Sequence, residues 1–478
     1  MFQSLLCGLC FAADVLPPKP NIILILIDDQ GYGDFSCTGN PIIKTPNMDR
    51  LYDAGVSFTD FHVSPTCSPT RSALMSGRHE FMNGVTHTAL ERERMSLKTI
   101  TIAQVLQSAG YATGIFGKWH LGDEAAYQPE RRGFDEVFIH GGGGIGQTFP
   151  GSGGDAPHNS YFSPVIKHNG KFEKTKGYCT DVFLAQAEKW IAAVKGKKPF
   201  FVYLPTNAPH DPRQVRAEDE KRYAGKVPKE VAKFYGMIAN IDDNVGRLLA
   251  KLKAWGIERD TLIVLMNDNG GQPDACRIFN AGMKGHKGTA WEGGTRAVSF
   301  WYWPGTLRPA VAHQLTAHLD VFPTLAELAG VKLDEHLRAQ VEGRSLVPLL
   351  KNSRADWPDR YLFTHVGRWG NEYLFRHVGR WGDVHIPPQK FGACSVRNSR
   401  YSLLRGKTDW ELYDLAKDIG QSHNVAAEHP EVVKEMSAAY DRWWESVLPH
   451  LENENAYKTA PKVNSFKEQY WKQFGGGP

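Results

Sequence analysis

The sequence has few cysteines, little net charge and no long apolar run, and each of these shortages excludes a class of protein. Its 478 residues include seven cysteines, at positions 7, 10, 37, 67, 179, 276 and 394. Cys7 and Cys10 belong to the apolar start of the chain, and the other five form no CxxC pair and have no zinc-finger spacing, so no zinc module is expected. The net charge is only +4, which is too small to indicate a nucleic-acid partner. No apolar run reaches the roughly 18 residues that span a bilayer, so no membrane span is expected.

The first residues are similar to a secretory leader. Leu5–Ala13 is short and apolar, and it ends in small residues where a signal peptidase could cleave. A positively charged start is missing, and a packed or disordered N-terminal arm is the alternative. We expect a signal peptide remnant at residues 1–13 and a periplasmic or secreted protein.

Strand and helix patterns alternate along residues 21–350 and change character beyond them. The buried-strand patterns are "NIILILI", "PFFVYLP" and "TLIVLMN", with amphipathic helices between them. This alternation predicts an α/β main domain, with a large, mostly parallel sheet sandwiched by helices. Residues 351–478 contain "RYSLLRGKTDWELYDL" and "HPEVVKEMSAAYDRWWESVL". These patterns predict a smaller C-terminal α+β domain with an antiparallel sheet and a closing helix.

Polar residues follow two of the predicted buried strands at the point where each strand ends. Asp28 and Asp29 come directly after Ile27, and Asp268 and Asn269 follow the strand of "TLIVLMN". The carboxyl ends of parallel strands meet at one edge of a sheet, where sites gather. Carboxylate and amide oxygens suit a hard divalent cation, and three converging carboxylates would repel one another without one. A single Asp at a strand end is more often a cap or a turn residue.

Cationic side chains occur in three separate loops. "GKWHLG" places Lys118 and His120 two residues apart, on one face if the segment stays extended. His210 lies in "APHDP", and Lys287 lies in "KGHKGTAWEGGTR". Each alone is a weak signal, because a lone histidine is more often structural and a basic loop is usually solvated. Together they would form an anion clamp over a metal, as transfer of a tetrahedral oxyanion requires.

Several separated motifs together resemble the formylglycine-dependent sulfatases. "CSPTR" from Cys67 to Arg71, followed by "SALMSGR", is similar to the family signature C-x-P-x-R. "LIDDQGYGD", "GKWHLG", "PHDP", "NDNG" and "KGTAWEGGTR" resemble further family motifs and occur in the family's order. The resemblance covers roughly residues 20 to 450. It implies an alkaline phosphatase-like fold with residues 21–350 as the catalytic sulfatase domain.

The resemblance also implies a modified nucleophile and a metal. Cys67 would be oxidised to formylglycine by a formylglycine-generating enzyme or an anaerobic sulfatase-maturating enzyme, and the hydrated aldehyde would attack the ester. Arg71 would hold this diol and the metal-binding carboxylates in place. Calcium is the expected ion, with magnesium as the alternative. Its ligands would be Asp28, Asp29, Asp268, Asn269 and the modified residue at position 67.

The same resemblance assigns roles to the cationic residues. Lys118 and Lys287 would clamp sulfate oxygens, and His210 or Lys287 would protonate the departing alcohol oxygen. His120 would remove a proton from the second diol hydroxyl. The family often has one further polar contact to the sulfate or the diol, for which the candidates here are His140 and Gln147.

A tandem duplication contains candidate residues for substrate binding. "YLFTHVGRWGNE" (361–372) is followed at once by "YLFRHVGRWGDV" (373–384), and nine of twelve positions match. Indoles stack on sugar faces and guanidinium groups pair with anions. Arg368, Trp369, Arg380 and Trp381 are therefore candidates for a sugar site, although an extra loop without a function is an equal alternative. The expected substrate is a sulfated carbohydrate.

Two alternative functions remain at this stage. A phosphodiesterase or phosphonate hydrolase of the same superfamily would share the metal and the nucleophile. A non-catalytic sulfoglycan-binding protein would need at least one chemical residue replaced, and none is replaced in this sequence.

Overall fold

The structure, a computed structural model, describes residues 16–89, 91–147, 153–368, 388–452 and 464–477. The predicted leader and most of the duplication, including Trp369, Arg380 and Trp381, lie outside the described residues. Within them, no helix is both long and apolar enough to cross a membrane. The five cysteines in these ranges are all free.

The described residues form an eleven-stranded central sheet. Its strands are β1 (Asn21–Ile27), β2 (Val56–His62), β3 (Ala112–Lys118), β4 (Glu136–His140), β5 (Val165–His168), β6 (Lys171–Lys174), β7 (Phe200–Pro205), β8 (Thr261–Asn267), β9 (Arg296–Tyr302), β10 (Ala310–Ala312) and β11 (Thr316–Ala317). The order is β10-β2-β9-β8-β1-β7-β3-β4-β5-β6, with β11 also beside β2. The central strands β8, β1, β7, β3 and β4 run parallel. β9 is antiparallel to both of its neighbours, and β5 and β6 complete one edge in antiparallel pairing. The predicted mostly parallel sheet is confirmed.

Helices cover both faces of this sheet. They are α1 (Pro46–Ala54), α2 (Cys67–Ser76), α3 (Ile102–Ser108), α4 (Cys179–Val194), α5 (Ala217–Lys221), α6 (Lys229–Ala254), α7 (Pro273–Cys276), α8 (Glu292–Thr295), α9 (Val321–Leu328), α10 (Glu335–Gln340) and α11 (Val347–Lys351). Short 3-10 turns lie at Glu80–Asn83, Pro129–Arg131, Glu258–Asp260 and His318–Asp320. Along β1, alternate residues enter different cores, with Ile22, Leu24 and Leu26 in one and Ile23, Ile25 and Ile27 in the other. A strand buried on both faces has no polar side, which explains the continuous apolar run.

A second, antiparallel sheet follows in the chain. It comprises β12 (Leu362–His365), β13 (Cys394–Arg397), β14 (Tyr401–Arg405) and β15 (Trp410–Asp414), paired in that order. Helix α12 (Pro430–Val447), followed by a 3-10 turn at Leu448–His450, packs Met436, Tyr440 and Trp443 onto it. The predicted small α+β unit with its closing helix is confirmed.

The last helix, α13 (Ser465–Phe474), lies against the large sheet instead. The ring of Phe466 meets Phe172 on β6 at 5.7 Å, and Gln473 exchanges hydrogen bonds with the Phe172 backbone. The C-terminal segment therefore returns to the edge strand of the main domain.

Candidate active site

The polar residues that follow β1 and β8 lie together at one edge of the sheet. Ile27 and Asn267 are paired neighbours, so the residues after them emerge side by side. The backbone N–H of Asp29 donates to Asp268 Oδ1 at 3.1 Å, and Asn269 Nδ2 donates to Asp29 Oδ1 at 2.9 Å. Asp28 and the other three are all buried. The structure thus brings four of the five predicted metal ligands together.

Cys67 begins α2 directly beside these carboxylates. Its Sγ lies 3.3 Å from Asp28 Oδ1 and 3.8 Å from Asp29 Oδ1. Ligand atoms of Cys67, Asp28, Asp29 and His210 all fall within 4.8 Å of one another. Burial and the neighbouring Asp28 raise the pKa of the Cys67 thiol well above its usual value. The unmodified thiol is therefore protonated, and a protonated thiol is a poor nucleophile.

Three cations balance the three carboxylates of this cluster. Lys118 Nζ pairs with Asp28 at 2.6 Å, Lys287 Nζ with Asp29 at 2.7 Å and Arg71 Nη2 with Asp268 at 2.8 Å. Burial by itself would raise the pKa of Asp29, but the ammonium of Lys287 holds it below its usual value. A second guanidinium nitrogen of Arg71, Nη1, donates to the Lys118 carbonyl at 3.1 Å. Arg71 therefore fixes both a carboxylate and the end of β3.

The donor atoms of this cluster fit a hard divalent cation. Asn269 Oδ1 is buried and accepts no hydrogen bond from any described residue. An unpaired buried amide oxygen is costly unless something binds it. Together with the oxygens of Asp28, Asp29 and Asp268 it forms the all-oxygen donor set that calcium and magnesium prefer. The chain can therefore hold such an ion here.

His120 lies on the site but not where an extended chain would place it. The prediction that Lys118 and His120 share one strand face is wrong, because β3 ends at Lys118 and His120 has a φ of 58°. His120 Nε2 lies 2.7 Å from the Thr88 carbonyl and donates to it. Nδ1 then carries the lone pair, and it has no partner among the described residues. Burial and the charge of Lys118 lower the pKa of His120, which keeps the ring neutral and able to accept a proton.

His210 also lies beside the carboxylates. Its Nδ1 is 2.6 Å from the Asp211 carbonyl, and Nε2 is 3.7 Å from Asp29 Oδ2. Burial, together with the charge of Lys287, lowers the pKa of His210 to about 3. His210 and Lys287 thus approach the same carboxylate, Asp29.

The remaining sequence candidates have different surroundings. His140 lies opposite Lys118 in the β3–β4 pairing, is buried, and has no hydrogen-bond partner for either ring nitrogen among the described residues. Gln147 donates to the Asp211 carbonyl at 3.2 Å. Arg368 is buried, donates to the Leu451 carbonyl and lies 3.7 Å from Glu452. Its guanidinium is therefore bound by the protein's own C-terminal segment.

Two contacts of the site were not anticipated from the sequence. Gln272 Nε2 donates to Asp29 Oδ2 at 2.7 Å. Its position three residues after Asn269, in the same motif, was the available signal. No sequence signal indicated the Thr88 carbonyl, which orients His120, because a backbone acceptor carries no side-chain pattern.

Comparison with known proteins agrees with this geometry. The family model described as "Sulfatase" matches residues 20–331, and the model "N-sulphoglucosamine sulphohydrolase, C-terminal" matches residues 287–443. Human arylsulfatase A is 31% identical over 476 residues, covering 90% of this chain and 89% of the relative. The crystal structure of Ps i-CgsB in complex with k-i-k-neocarrahexaose superposes with a TM-score of 0.77 at 28% identity, covering 95% of this chain and 97% of that one. The fold and the site define a hydrolase of the alkaline phosphatase-like superfamily. Within it, the chain belongs to the sulfatase family, and the protein is a sulfuric ester hydrolase.

Proposed function

We propose that the protein removes sulfate from a sulfated carbohydrate, with a formylglycine derived from Cys67 as nucleophile and a calcium ion bound beside it. The observation that carries this proposal is the position of Cys67 Sγ, 3.3 Å from Asp28 and 3.8 Å from Asp29, two carboxylates that are paired with Lys118 and Lys287. Mouse N-acetylgalactosamine-6-sulfatase, which is 31% identical over 72% of this chain, supports a carbohydrate substrate, as does the oligosaccharide complex of Ps i-CgsB.

The ion would be held by Asp28, Asp29, Asp268, Asn269 and the modified residue 67. The orphaned oxygen of Asn269 supports this set. Calcium bound there would lower the pKa of a coordinated hydroxyl and neutralise sulfate charge, and the hydrated aldehyde would supply the hydroxyl that attacks sulfur. Magnesium is the alternative ion.

Lys118 and Lys287 would bind the sulfate oxygens. Each ammonium lies within 2.7 Å of a carboxylate of the cluster, Lys118 beside Asp28 and Lys287 beside Asp29. Two ammonium groups held in place by carboxylates would stabilise charge on the transferred sulfuryl group without reorganising during the reaction.

Two histidines would take part in proton transfer. His120 would accept a proton at Nδ1, because its Nε2–H is already donated to Thr88. The departing sugar oxygen needs a proton, and two groups near Asp29 could give it: the Lys287 ammonium, and His210 once its Nε2 has taken up a proton.

We also propose that a formylglycine-generating enzyme or an anaerobic sulfatase-maturating enzyme modifies Cys67, and that the protein acts in the periplasm or outside the cell. The apolar start of the sequence supports this location.

The first test is mass spectrometry of the peptide that contains position 67, from protein co-expressed with a maturating enzyme. A mass about 18 Da below that of the cysteine peptide marks the aldehyde. Cys67→Ala, made in the same cells, is the matched control and should show no turnover.

The second test compares turnover of an aryl sulfate with that of the matching aryl phosphate, followed by a panel of defined sulfated sugars. We expect sulfate to react faster, and activity lost in EGTA to return with calcium. A faster rate on the phosphate, or an unmodified thiol in an active enzyme, would overturn the proposal.

A further inference from the structure

A buried ion cluster joins the small domain to the large one beside the active site. Arg397, on β13, binds Asp60 through both terminal nitrogens, at 2.8 and 3.1 Å, and Glu292 through Nε at 2.9 Å. All three side chains are buried, with Glu292 only 2% exposed. Such a forked contact to two carboxylates is specific to arginine.

Two arginines lie beside this carboxylate pair: Arg296 is 3.8 Å from Asp60 and 3.7 Å from Glu292, and Arg397 makes the closer hydrogen bonds. Asp60, Glu292 and His62 have ligand atoms within 4.8 Å of one another, as in a metal site. The guanidinium, however, takes both oxygens of Asp60 and one oxygen of Glu292. The cluster is therefore an interdomain lock rather than a second metal centre.

Two further contacts join the small domain to the chain around Glu292. The backbone N–H of Glu292 donates to Gln421 Oε1 at 2.9 Å, and Gln421 is itself tied to Ser402 at 3.2 Å. The ring of Tyr413 on β15 meets that of Trp291 at 5.5 Å. The small domain therefore contacts two consecutive residues, Trp291 and Glu292.

Trp291 and Glu292 lie near the end of the loop that carries Lys287. The Gly293 N–H donates to the Lys284 carbonyl at 2.8 Å, which makes residues 284–293 a closed loop. Its other anchors lie on the active site: Lys287 N–H donates to Gly271 at 3.0 Å and Gly288 N–H to Pro65 at 2.8 Å. Glu292 and Lys287 therefore lie five positions apart on one short loop that is anchored both to the small domain and to the active site.

We propose that Arg397 is a positioning residue for sulfate binding: through Glu292 it sets the loop on which Lys287 meets the sulfate. This inference rests on the proposed role of Lys287. It gives the C-terminal domain a part in the reaction although none of these residues touches the reacting atoms.

The test compares Arg397→Gln with a matched control, Arg360→Gln. Arg360, whose side chain is 9% exposed, likewise binds an aspartate of the large domain, Asp320, with one contact at 2.8 Å. It makes no contact with the 284–293 loop among those that the structure describes. Both variants remove a buried interdomain pair, so both should lose similar thermal stability.

Of these two variants, only Arg397→Gln should change kcat/KM on a sulfate ester and inhibition by inorganic sulfate. We expect its kcat/KM on an aryl sulfate to fall about 100-fold, as for a catalytic group displaced by about 1 Å, and inhibition by inorganic sulfate to weaken in parallel. Arg397→Lys keeps the charge without the fork and should recover part of both. Gln421→Asn, which tolerates the left-handed backbone at this position, should shift both values in the same direction by less.

The reference variant is Lys287→Ala. If it leaves turnover and sulfate inhibition unchanged, the proposed role of Lys287 fails and the inference fails with it. If it impairs both while Arg397→Gln and Arg360→Gln behave alike, the proposed function stands and the positioning role of Arg397 is refuted. Should Arg397→Gln not fold, Gln421→Asn and Arg397→Lys decide the question by the same two measurements.

Discussion

Replacement of Arg71 by Gln should destabilise the protein by an amount that depends on whether a metal is bound. Arg71 is completely buried, and its guanidinium pairs with Asp268 at 2.8 Å. Removing one partner of a buried ion pair costs about 3–5 kcal/mol. Burial and Asp28 already raise the pKa of Asp268 to about 7, so the carboxyl group can take up a proton and avoid part of this cost. We therefore expect the lower end of the range in chelator.

This free energy converts to a measurable change in melting temperature. An unfolding entropy of about 2.1 cal/mol/K per residue gives roughly 1 kcal/mol/K for a chain of 478 residues. Arg71→Gln should then lower Tm by about 3 °C in EGTA, measured by circular dichroism. The deficit should shrink in calcium, because the ion would neutralise Asp268 in place of Arg71.

The double variant Arg71→Gln/Asp268→Asn is the control, since removal of both charges should restore part of the lost stability in EGTA. Turnover should be lost in both variants, because Arg71 also holds the Lys118 carbonyl. An Arg71→Gln protein that melts and turns over like the parent would refute the assigned contact. An equal deficit in EGTA and in calcium would refute the placement of the ion.

Three further outcomes are expected. His120→Gln should lower kcat by about 10²–10⁴-fold without weakening inhibition by inorganic sulfate; a change in sulfate inhibition alone would argue against a proton-accepting role. Loss of the general acid should slow sugar sulfates more than aryl sulfates, because a phenolate leaves without a proton, so comparing His210→Ala with Lys287→Ala identifies the acid. Burial lowers the pKa of His365 to about 4, so the stability it contributes is present above about pH 6.5 and lost as the pH falls towards 4. The Tm of His365→Gln should therefore fall less over that interval, and an identical profile would contradict this.

The part of the site that could be predicted from the sequence follows from strand direction. Asp28 and Asp268 each follow an apolar run, and parallel runs must end at one edge of a sheet. The proximity of Asp28 and Asp268 could therefore be predicted without knowing how the loops fold. Cys67, by contrast, carries no local signal of its own, and its importance came from resemblance to a family motif. Its position 3.3 Å from Asp28 needed the structure.

The interdomain lock could not be predicted in this way. Arg397 reaches Asp60 across 337 residues and Glu292 across 105. Each is a residue type that usually lies on the surface, and no periodic pattern links a small antiparallel sheet to a loop in another domain. The expected shared face of Lys118 and His120 was wrong for a related reason: alternation applies only while the chain stays extended, and the strand ends at Lys118.

The charge balance of the site indicates that metal and substrate binding are coupled. Without an ion, the carboxylates of Asp28 and Asp29 are neutralised by the ammonium groups of Lys118 and Lys287, at 2.6 and 2.7 Å. These are the same ammonium groups that sulfate would need. A divalent cation competes for the carboxylate oxygens, because opposite charge at close range in a dry site is strongly attractive. Each ammonium that loses its carboxylate partner then gains by binding an anion. Calcium should therefore strengthen binding of inorganic sulfate, and calorimetric titration of sulfate in EGTA and in calcium would show equal affinities if the two sites were independent.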